Sequence, residues 1–298
     1  MSVHSKKLFK VFKTYQDKKF LFVKPEGNYG DDLIYIGAEK LAKTAGLDMR
    51  SVRFDDFMSY ECNKDEVIYV HGGGSFNAIW RGKAMDVFIK AYNEHDGILI
   101  VGPQTVIDDA DYLNERVKVH LNEGRKAKCH FFVREMTSYN IVSELLGSLC
   151  EVEHDHDTAF NLTAEDLLKG MPLKTKYTLY GIRKDEEKND VIVPGFFGLW
   201  CDPIWTAHSV DSWVRMHAYA KEIISNRTHS AILGSILGKQ TTIFANSYHK
   251  NRSIWEYSLK DKGVKWLDNP GSVKNNTIFE RIVKSYRFNQ FKEKMFIR

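Results

Sequence analysis

The chain has 298 residues, of which 43% are hydrophobic and 28% are charged, and its formal net charge is +4. This composition is that of an ordinary globular protein, and the length predicts two domains of roughly 100–200 residues each. So small a charge argues against nucleic acid as a partner, because nucleic-acid-binding domains carry clustered positive charge. The four cysteines stand far apart without a CxxC pair. We therefore expect neither a zinc site nor a disulfide scaffold, and we expect a cytoplasmic location.

Short apolar runs alternate with helical segments through the first half of the chain. The predicted strands are 20–23, 67–70, 98–101 and 131–133, and the helices between them include 32–45 and 111–125. Unbroken apolar runs are typical of strands that are buried on both faces, and their alternation with helices indicates βαβ units in a parallel sheet. We predict an N-terminal Rossmann-like domain over residues 1–165.

The same alternation restarts after a polar segment at 163–175, which we interpret as a linker. The predicted elements that follow are strands at 177–182, 222–224, 241–245 and 263–267, with helices at 210–220 and 231–238. They predict a second Rossmann-like domain over residues 173–275. The basic segment 276–298 is predicted to be a helix that packs back on the N-terminal domain. The α/β fold would then hold a ligand cleft between the strand ends of two parallel sheets.

The segment Gly-Asn-Tyr-Gly-Asp-Asp at 27–32 joins the first predicted strand to a helix. Asn28 and Asp31 supply an amide and a carboxylate that suit sugar hydroxyls, and they suit a helix cap equally well. The segment is neither a GxGxxG fingerprint nor a Walker loop, so it does not support dinucleotide or ATP binding.

Three glycines and a serine follow the second predicted strand, in the segment His-Gly-Gly-Gly-Ser at 71–75. Bare backbone N–H groups at Gly73, Gly74 and Ser75 suit a phosphate or an oxyanion. The alternative is a turn that needs glycine for packing. No GxSxG elbow accompanies the segment, which argues against a serine hydrolase. Gln104 lies at the equivalent end of the third strand.

The turn that carries Arg227 and His229 precedes a helix of small residues. A helix N-terminus favours an anion, an arginine grips phosphate or carboxylate through two bonds, and a histidine carries protons near neutral pH. Arg183 ends the strand 177–182, and Asn246 and Lys250 follow the strand 241–245. The alternative is a surface arginine beside a helix-capping histidine.

The sequence His-Asp-His-Asp at 154–157 resembles a metal cluster. On a strand its two histidines would share one face and its two aspartates the other, and no complementary ligands lie nearby in the sequence. We therefore predict no metal. Asp157, where the strand gives way to a loop, is the better candidate for a cleft residue.

Both ends of the chain are basic. The segment 6–18 places Leu8, Phe9, Phe12 and Tyr15 on one helical face and lysines elsewhere. Together with the basic helix at 276–298 it suits peripheral contact with the inner face of an anionic membrane. The alternative is that both segments pack on their own domain.

Motifs spread over most of the chain resemble the polysaccharide pyruvyl transferase family, in the family's order. They are GNYGDDLI at 27–34, GGGS at 72–75, VGPQT at 101–105, VREMTSYNIV at 133–142, DTAFNL at 157–162, GIR at 181–183 and SNRTHSAILGSILGKQTTIFANSYHK at 225–250. The most specific of them is the Arg-x-His turn with its following helix and strand. Gln240 stands where the family commonly has a proline, and segment 185–205 matches no family motif.

The resemblance implies a GT-B-like arrangement of the two domains. It also implies transfer of the pyruvyl group of phosphoenolpyruvate onto two hydroxyls of a saccharide, forming a ketal in surface or exopolysaccharide biosynthesis. Acceptors in the family include lipid-linked precursors. Phosphoenolpyruvate is expected as the donor substrate, and no cofactor is expected.

Residue roles follow from this resemblance and from the chemistry of the donor. We expect Arg183 and Arg227 to bind the two anionic groups of phosphoenolpyruvate, because each guanidinium can hold one anion through two bonds. We expect His229 to protonate the CH₂ carbon and Asp31 to act as base or hold the acceptor. The remaining predicted substrate contacts are Asn28, Gly73, Gly74, Ser75, Gln104, Asn246 and Lys250.

Two other functions stay open at this point. A GT-B glycosyltransferase would share the cleft but use a nucleotide-sugar donor. A non-catalytic sugar- or phosphate-binding protein would bind without turnover. Stabilisation by a nucleotide sugar, and not by phosphoenolpyruvate, would favour the glycosyltransferase.

Overall fold

Two parallel β-sheets organise the chain in this computed structural model, which describes residues 4–80, 82–107, 109–189 and 197–268. The first sheet contains β1 (Lys19–Lys24), β2 (Asp48–Arg53), β3 (Val67–Val70), β4 (Gly73–Phe76), β5 (Leu99–Val106), β6 (Cys129–Val133) and β7 (Glu151–His154). Its order is β2-β1-β3-β5-β6-β7, and β4 pairs with β5. The second sheet contains β8 (Tyr177–Gly181), β9 (Leu199–Cys201), β10 (Ala220–Ser225), β11 (Gln240–Ile243) and β12 (Lys265–Trp266), in the order β12-β11-β10-β8-β9.

Helices connect the strands of both sheets. They are α1 (Lys6–Thr14), α2 (Tyr29–Ala45), α3 (Phe54–Met58), α4 (Lys83–Glu94), α5 (Ala110–Arg116), α6 (Met136–Leu146), α7 (Ala164–Leu168), α8 (Pro203–Thr206), α9 (Val210–Ala218), α10 (Thr228–Ile236) and α11 (Lys250–Ile254). Parallel pairing throughout, with helices between the strands, confirms the predicted α/β class with two Rossmann-like sheets.

Strand β1 shows why the first sheet is buried on both faces. Successive side chains of a strand point to opposite faces. Leu21 and Val23 pack into the core that contains α4 and α6, whereas Phe20 and Phe22 pack into the core of α1 and α2. Burying one such side chain contributes roughly 1.5–3 kcal/mol, so apolar residues at every position are favoured.

Helix α2 belongs to the cores of both sheets. Near its start, Leu33 packs in the cluster that contains Trp213 and Ile232 of the second sheet's helices. Further along, Ala38 and Leu41 pack beneath the first sheet. One helix therefore contributes apolar side chains to the cores of both halves.

Several element boundaries differ from those predicted. The Gly-Pro-Gln-Thr segment continues β5 to Val106, and β4 occupies most of the glycine-rich segment. The helix predicted over 111–125 ends at Arg116, and the predicted linker contains α7. Strand β9 was not predicted. The helix predicted at 276–298 lies outside the described residues, and the domain boundaries stay predictions.

The apolar face of α1 is occupied by the protein's own core. Leu8 and Phe12 are fully buried and pack with Phe20 and Tyr69. The Leu8 amide donates to Asp155 Oδ2 at 2.8 Å. This face contacts β1 and is not free to lie on a lipid surface. Across the described ranges no helix has the length and apolar character needed to span a bilayer.

Acid is expected to destabilise the fold through His217, which is fully buried with Nδ1 2.8 Å from the Trp213 carbonyl. Burial lowers the pKa of His217 to about 4. The unfolded chain therefore binds a proton that the folded chain excludes, and stability falls as pH drops through the unfolded pKa of 6.5. Between about pH 7.5 and about pH 5.5, His217 alone is expected to lower the free energy of unfolding by about 1.4 kcal/mol.

Urea unfolding of His217→Gln at both pH values measures this contribution. The variant is expected to lose less stability on acidification than the parent chain, whereas His208→Gln, at an exposed histidine, should leave the pH dependence unchanged. Equal pH dependence in all three proteins would contradict the assignment.

Candidate active site

The carboxyl ends of strands from the two sheets meet in one cluster of polar side chains, which we call the cleft. Trp80 follows β4 of the first sheet, and its Nε1 donates to Glu187 Oε1 of the second at 2.7 Å. His229, in the first turn of α10, lies with Nε2 3.4 Å from Oδ2 of Asp157, which follows β7. These contacts bring polar side chains of both halves, including the predicted His229, to a shared edge of the kind where parallel sheets bind ligands.

His229 lies next to a buried ion pair between Asp157 and Arg134. Asp157 Oδ2 accepts from Arg134 Nη1 at 2.5 Å, and both side chains are 1% exposed. Arg134 Nε donates to Thr105 Oγ1 at 2.9 Å, and Asp157 Oδ1 accepts from the Ala159 amide at 2.9 Å. Although burial opposes ionisation, Arg134 and His229 hold the pKa of Asp157 well below its ordinary value. The carboxylate facing His229 is thus ionised and fixed from both oxygens.

Glycine at position 30 brings the start of α2 against His229. A Cβ at Gly30 would lie 2.7 Å from His229 Nδ1, so any other residue would displace the ring. Asn28 Oδ1 accepts from the Gly30 amide at 2.9 Å, and Asp31 Oδ2 accepts from the Asn28 amide at 2.8 Å. Asn28 and Asp31 therefore cap α2, and Gly30 between them is the residue that contacts the histidine.

The two arginines predicted to bind the donor lie together. Arg227 holds Asp202 through two bonds of 2.6 Å and also donates to Asp185 Oδ2 at 2.8 Å. Arg183 Nε donates to Asp185 Oδ1 at 2.6 Å. Although burial raises it, the two guanidinium groups keep the pKa of Asp185 below its ordinary value. Asp185 is therefore an ionised bridge between Arg183 and Arg227.

Predicted residues Asn246 and Lys250 meet Arg183 at a second carboxylate, that of Glu187. Its Oε2 accepts from Arg183 Nη1, from Lys250 Nζ and from Asn246 Nδ2, the last at 3.1 Å. Burial lowers the pKa of Lys250 to about 8, against the opposing influence of Glu187. Lys250 is thus largely cationic at neutral pH, and its charge depends on a nearby anion.

The glycine-rich segment contributes backbone to the cleft. A Cβ at Gly74 would lie 3.1 Å from Arg134 Nη2 and 3.6 Å from Lys250 Nζ, so the bare chain passes close to two cations. Gln104 Nε2 donates to the His71 carbonyl at 3.0 Å, whereas its buried Oε1, near Gly73, has no hydrogen-bond partner among the described residues.

Ser75 is partly exposed in β4, and no contact in the described ranges ties its hydroxyl to the rest of the cleft. It is thus the predicted site residue that the structure connects least to the others.

The four residues of the His-Asp-His-Asp sequence take separate partners. His154 and His156 stack on Tyr257 at ring-centroid distances of 3.7 and 4.6 Å. Asp155 accepts from backbone amides, and Asp157 faces Arg134, as described above. Within the described residues no group of three or more His, Cys, Asp or Glu side chains is arranged to hold a metal ion.

Sequence reasoning missed several residues of the cleft. Arg134 directly follows β6, so its position at a strand end was an available signal. Trp80, Asp185, Glu187 and Asp202 lie in connecting segments that match no motif, and only the fold brings them to the arginines.

The assembled cleft combines clustered cations with a histidine whose Nε2 lies 3.4 Å from a buried carboxylate. Arginine and lysine side chains that converge on buried carboxylates can bind an anionic substrate in their place. A histidine beside an ionised aspartate can deliver or accept a proton. The arrangement suits proton-assisted chemistry on a small molecule that carries more than one negative charge.

Comparison with known proteins identifies the family. The chain is similar to an uncharacterised protein of Klebsiella pneumoniae subsp. pneumoniae, with a TM-score of 0.66 and 20% identity over 90% of this chain and 100% of the other. That likeness supports the fold alone. A search of curated proteins finds no match. The sequence profile of polysaccharide pyruvyl transferases matches residues 28–248, which include His229, Arg183 and Arg227. The chain therefore belongs to the polysaccharide pyruvyl transferase family.

Proposed function

We propose that the chain transfers the pyruvyl group of phosphoenolpyruvate onto two hydroxyls of a saccharide, forming a cyclic ketal in polysaccharide biosynthesis. Family membership supports pyruvyl transfer to a saccharide acceptor. The observation that carries the donor assignment is the bridge of Asp185 between Arg183 and Arg227. Two guanidiniums held by one carboxylate are spaced to take the carboxylate and phosphate of one small molecule.

The first step of the proposed reaction adds a hydroxyl across the carbon–carbon double bond of the donor. His229 gives a proton to the CH₂ carbon, which becomes a methyl group, and the sugar oxygen bonds to C2. The hydroxyl proton passes to Asp31, whose Oδ1 would lie 3.8 Å from a Cβ built at Gly73 and so faces the glycine-rich segment. A positioned acid or base contributes about 10²–10⁴-fold.

The second step closes the ketal. A second hydroxyl oxygen bonds to C2, the bond from C2 to the phosphate oxygen breaks, and inorganic phosphate leaves. Arg227, at the N-terminus of α10, stabilises the negative charge of the departing phosphate together with the helix dipole. The second hydroxyl proton passes to His229, which gave up its own proton in the first step, because Asp31 is already protonated.

Phosphoenolpyruvate is expected to raise the unfolding temperature of the protein, because a ligand that binds only the folded state stabilises it by about 2.7 kcal/mol at a hundredfold excess over Kd. Arg227→Lys should abolish this shift. Lysine keeps a cation opposite Asp202 but cannot make the two bonds that Arg227 makes. Arg252→Lys, at an exposed arginine paired with Glu256, is the matched control and should keep the shift.

Nucleotide sugars serve as the competing ligands in the same measurement. A shift with a UDP-sugar and none with phosphoenolpyruvate would contradict the proposal and favour a glycosyltransferase. A shift with phosphoenolpyruvate without phosphate release on any saccharide of a broad panel would favour a binding protein.

A further inference from the structure

Four hydrogen-bond donors converge on the carboxylate of Glu187. Trp80 Nε1 donates to one oxygen at 2.7 Å, and Asn246 Nδ2 donates to the other at 3.1 Å. Arg183 Nη1 and Lys250 Nζ also donate to the second oxygen. Two cations and two neutral donors thus surround one planar anion.

These donors come from distant parts of the chain. Trp80 belongs to the first sheet's side of the cleft, Arg183 follows β8, and Asn246 and Lys250 follow β11. Glu187 comes from the short segment 184–189, only four residues beyond Arg183. Binding sites are commonly built from polar groups that converge from several strand ends. Here the carboxylate of Glu187, from segment 184–189, occupies the position between the donors.

The neighbouring Tyr248 indicates that this cluster binds a ligand in addition to forming internal ion pairs. The Tyr248 hydroxyl is buried and has no hydrogen-bond partner in the described ranges of the chain. Its ring centroid lies 5.1 Å from Lys250 Nζ, so the tyrosine side chain borders the same cluster. Most buried polar groups in proteins have a hydrogen-bond partner, so an unsatisfied hydroxyl beside clustered cations is available to pair with a ligand group.

We propose that the donors around Glu187 form the subsite for a substrate carboxylate, and that Glu187 occupies this subsite until substrate displaces it. The proposal rests on the proposed function and assigns the two ends of the donor. The carboxylate of phosphoenolpyruvate replaces that of Glu187, between Trp80 and Lys250. The phosphate of phosphoenolpyruvate binds Arg227 at the start of α10. Asp185, which pairs with Arg227 in the free protein, moves away together with Glu187 because both belong to segment 184–189.

The donors are arranged around the two oxygens of one carboxylate, which is why the subsite suits a substrate carboxylate. One oxygen of Glu187 faces Trp80, and the other faces Arg183, Lys250 and Asn246. A planar group with two oxygens satisfies both sides at once. Glu187 is 1% exposed, so its carboxylate fills the space between the donors. A substrate carboxylate can bind there only after segment 184–189 has moved.

Glu187→Gln and its neighbour Glu186→Gln form a matched pair. Both variants remove one negative charge from the same segment, but Glu186 is exposed and Glu187 is buried among the donors. Titration calorimetry with pyruvate, a carboxylate without phosphate, is expected to show a Kd about tenfold or more lower in Glu187→Gln than in Glu186→Gln. Inorganic phosphate, which has no carboxylate to take the place of Glu187, should gain less affinity than pyruvate between the two variants.

Pyruvate binding that is no tighter in Glu187→Gln than in Glu186→Gln would overturn the inference. Glu187→Asp guards against a folding defect, because it keeps the charge and withdraws the carboxylate by one methylene. It should bind pyruvate more tightly than the parent chain, and failure to do so while folded would count against the subsite.

Phosphoenolpyruvate, titrated in parallel, separates this inference from the proposed function. Tighter pyruvate binding in Glu187→Gln without any phosphoenolpyruvate binding would keep the carboxylate subsite and reject the donor. Phosphoenolpyruvate binding that Arg227→Lys abolishes and Glu187→Gln leaves unchanged would keep the donor and reject the subsite.

Discussion

His229→Gln is expected to lower turnover by about 10²–10⁴-fold, the usual contribution of a positioned acid or base. Glutamine fills much of the same space but cannot carry the proton that the CH₂ carbon requires. Because Arg183 and Arg227 are untouched, the Kd for phosphoenolpyruvate should stay close to that of the parent chain. The measurement pairs phosphate release on a saccharide acceptor with calorimetric binding of the donor.

His249→Gln is the matched control for this substitution. The His249 and His229 side chains are each 14% exposed, and each lies near a buried carboxylate, Glu135 at 3.5 Å and Asp157 at 3.4 Å. The control should keep most of the activity. Equal losses in both variants would mean that the cleft needs its histidines for packing, and His229 would lose its assignment as the acid.

Asp157→Asn is expected to destabilise the fold by about 3–5 kcal/mol, the usual cost of breaking a buried charge pair. One oxygen of Asp157 accepts from Arg134 and the other from the Ala159 amide. An asparagine offers only one acceptor oxygen, so its NH₂ group would face a donor on one side. Arg134 would also be left as a buried charge without its partner.

Asp155→Asn controls for the loss of a buried carboxylate as such. Asp155 is also buried, but it accepts from the Leu8 and His156 amides, and burial raises its pKa. Its replacement should cost less, about 1–3 kcal/mol, because no cation is left unpaired. Urea unfolding near neutral pH measures both variants, and a smaller loss for Asp157→Asn would contradict the ion-pair argument.

The pH dependence gives a second check on Asp157. Its folded pKa lies below the ordinary value of 3.8, so its contribution is present above that pH and is lost as pH falls below it. The stability gap between Asp157→Asn and the parent chain should therefore shrink in strong acid. A constant gap would mean that packing, and not charge, explains the loss.

The sheets could be predicted because their strands carry unbroken apolar runs. Val67–Val70 is buried at every position, and such a run between turn residues indicates a parallel strand. Strand β2 escaped prediction because it lies at the edge of its sheet. Its sequence Asp-Met-Arg-Ser-Val-Arg is mostly exposed and carries no such signal.

The cations of the candidate site could be proposed from the sequence, since Arg183 and Arg227 come shortly after β8 and β10, and Lys250 comes after the loop that follows β11. Their partners could not. Glu187 and Asp185 lie in a charged segment that reads as a solvated loop, and only the close approach of β8 and β10 brings it to the arginines. The sequence reveals which groups stand at a sheet edge, whereas pairing between connecting segments depends on three-dimensional proximity.

Helix α2 limits how this enzyme can be recombined with its relatives. Leu33 packs among side chains of the second half, and the Thr158 hydroxyl donates to the Ile34 carbonyl at 2.8 Å. A chimera cut near residue 165 would join a foreign C-terminal half to surfaces shaped for the original one. Exchange of acceptor or donor specificity between relatives therefore has to carry residues 29–45 and 157–168 along with the C-terminal half.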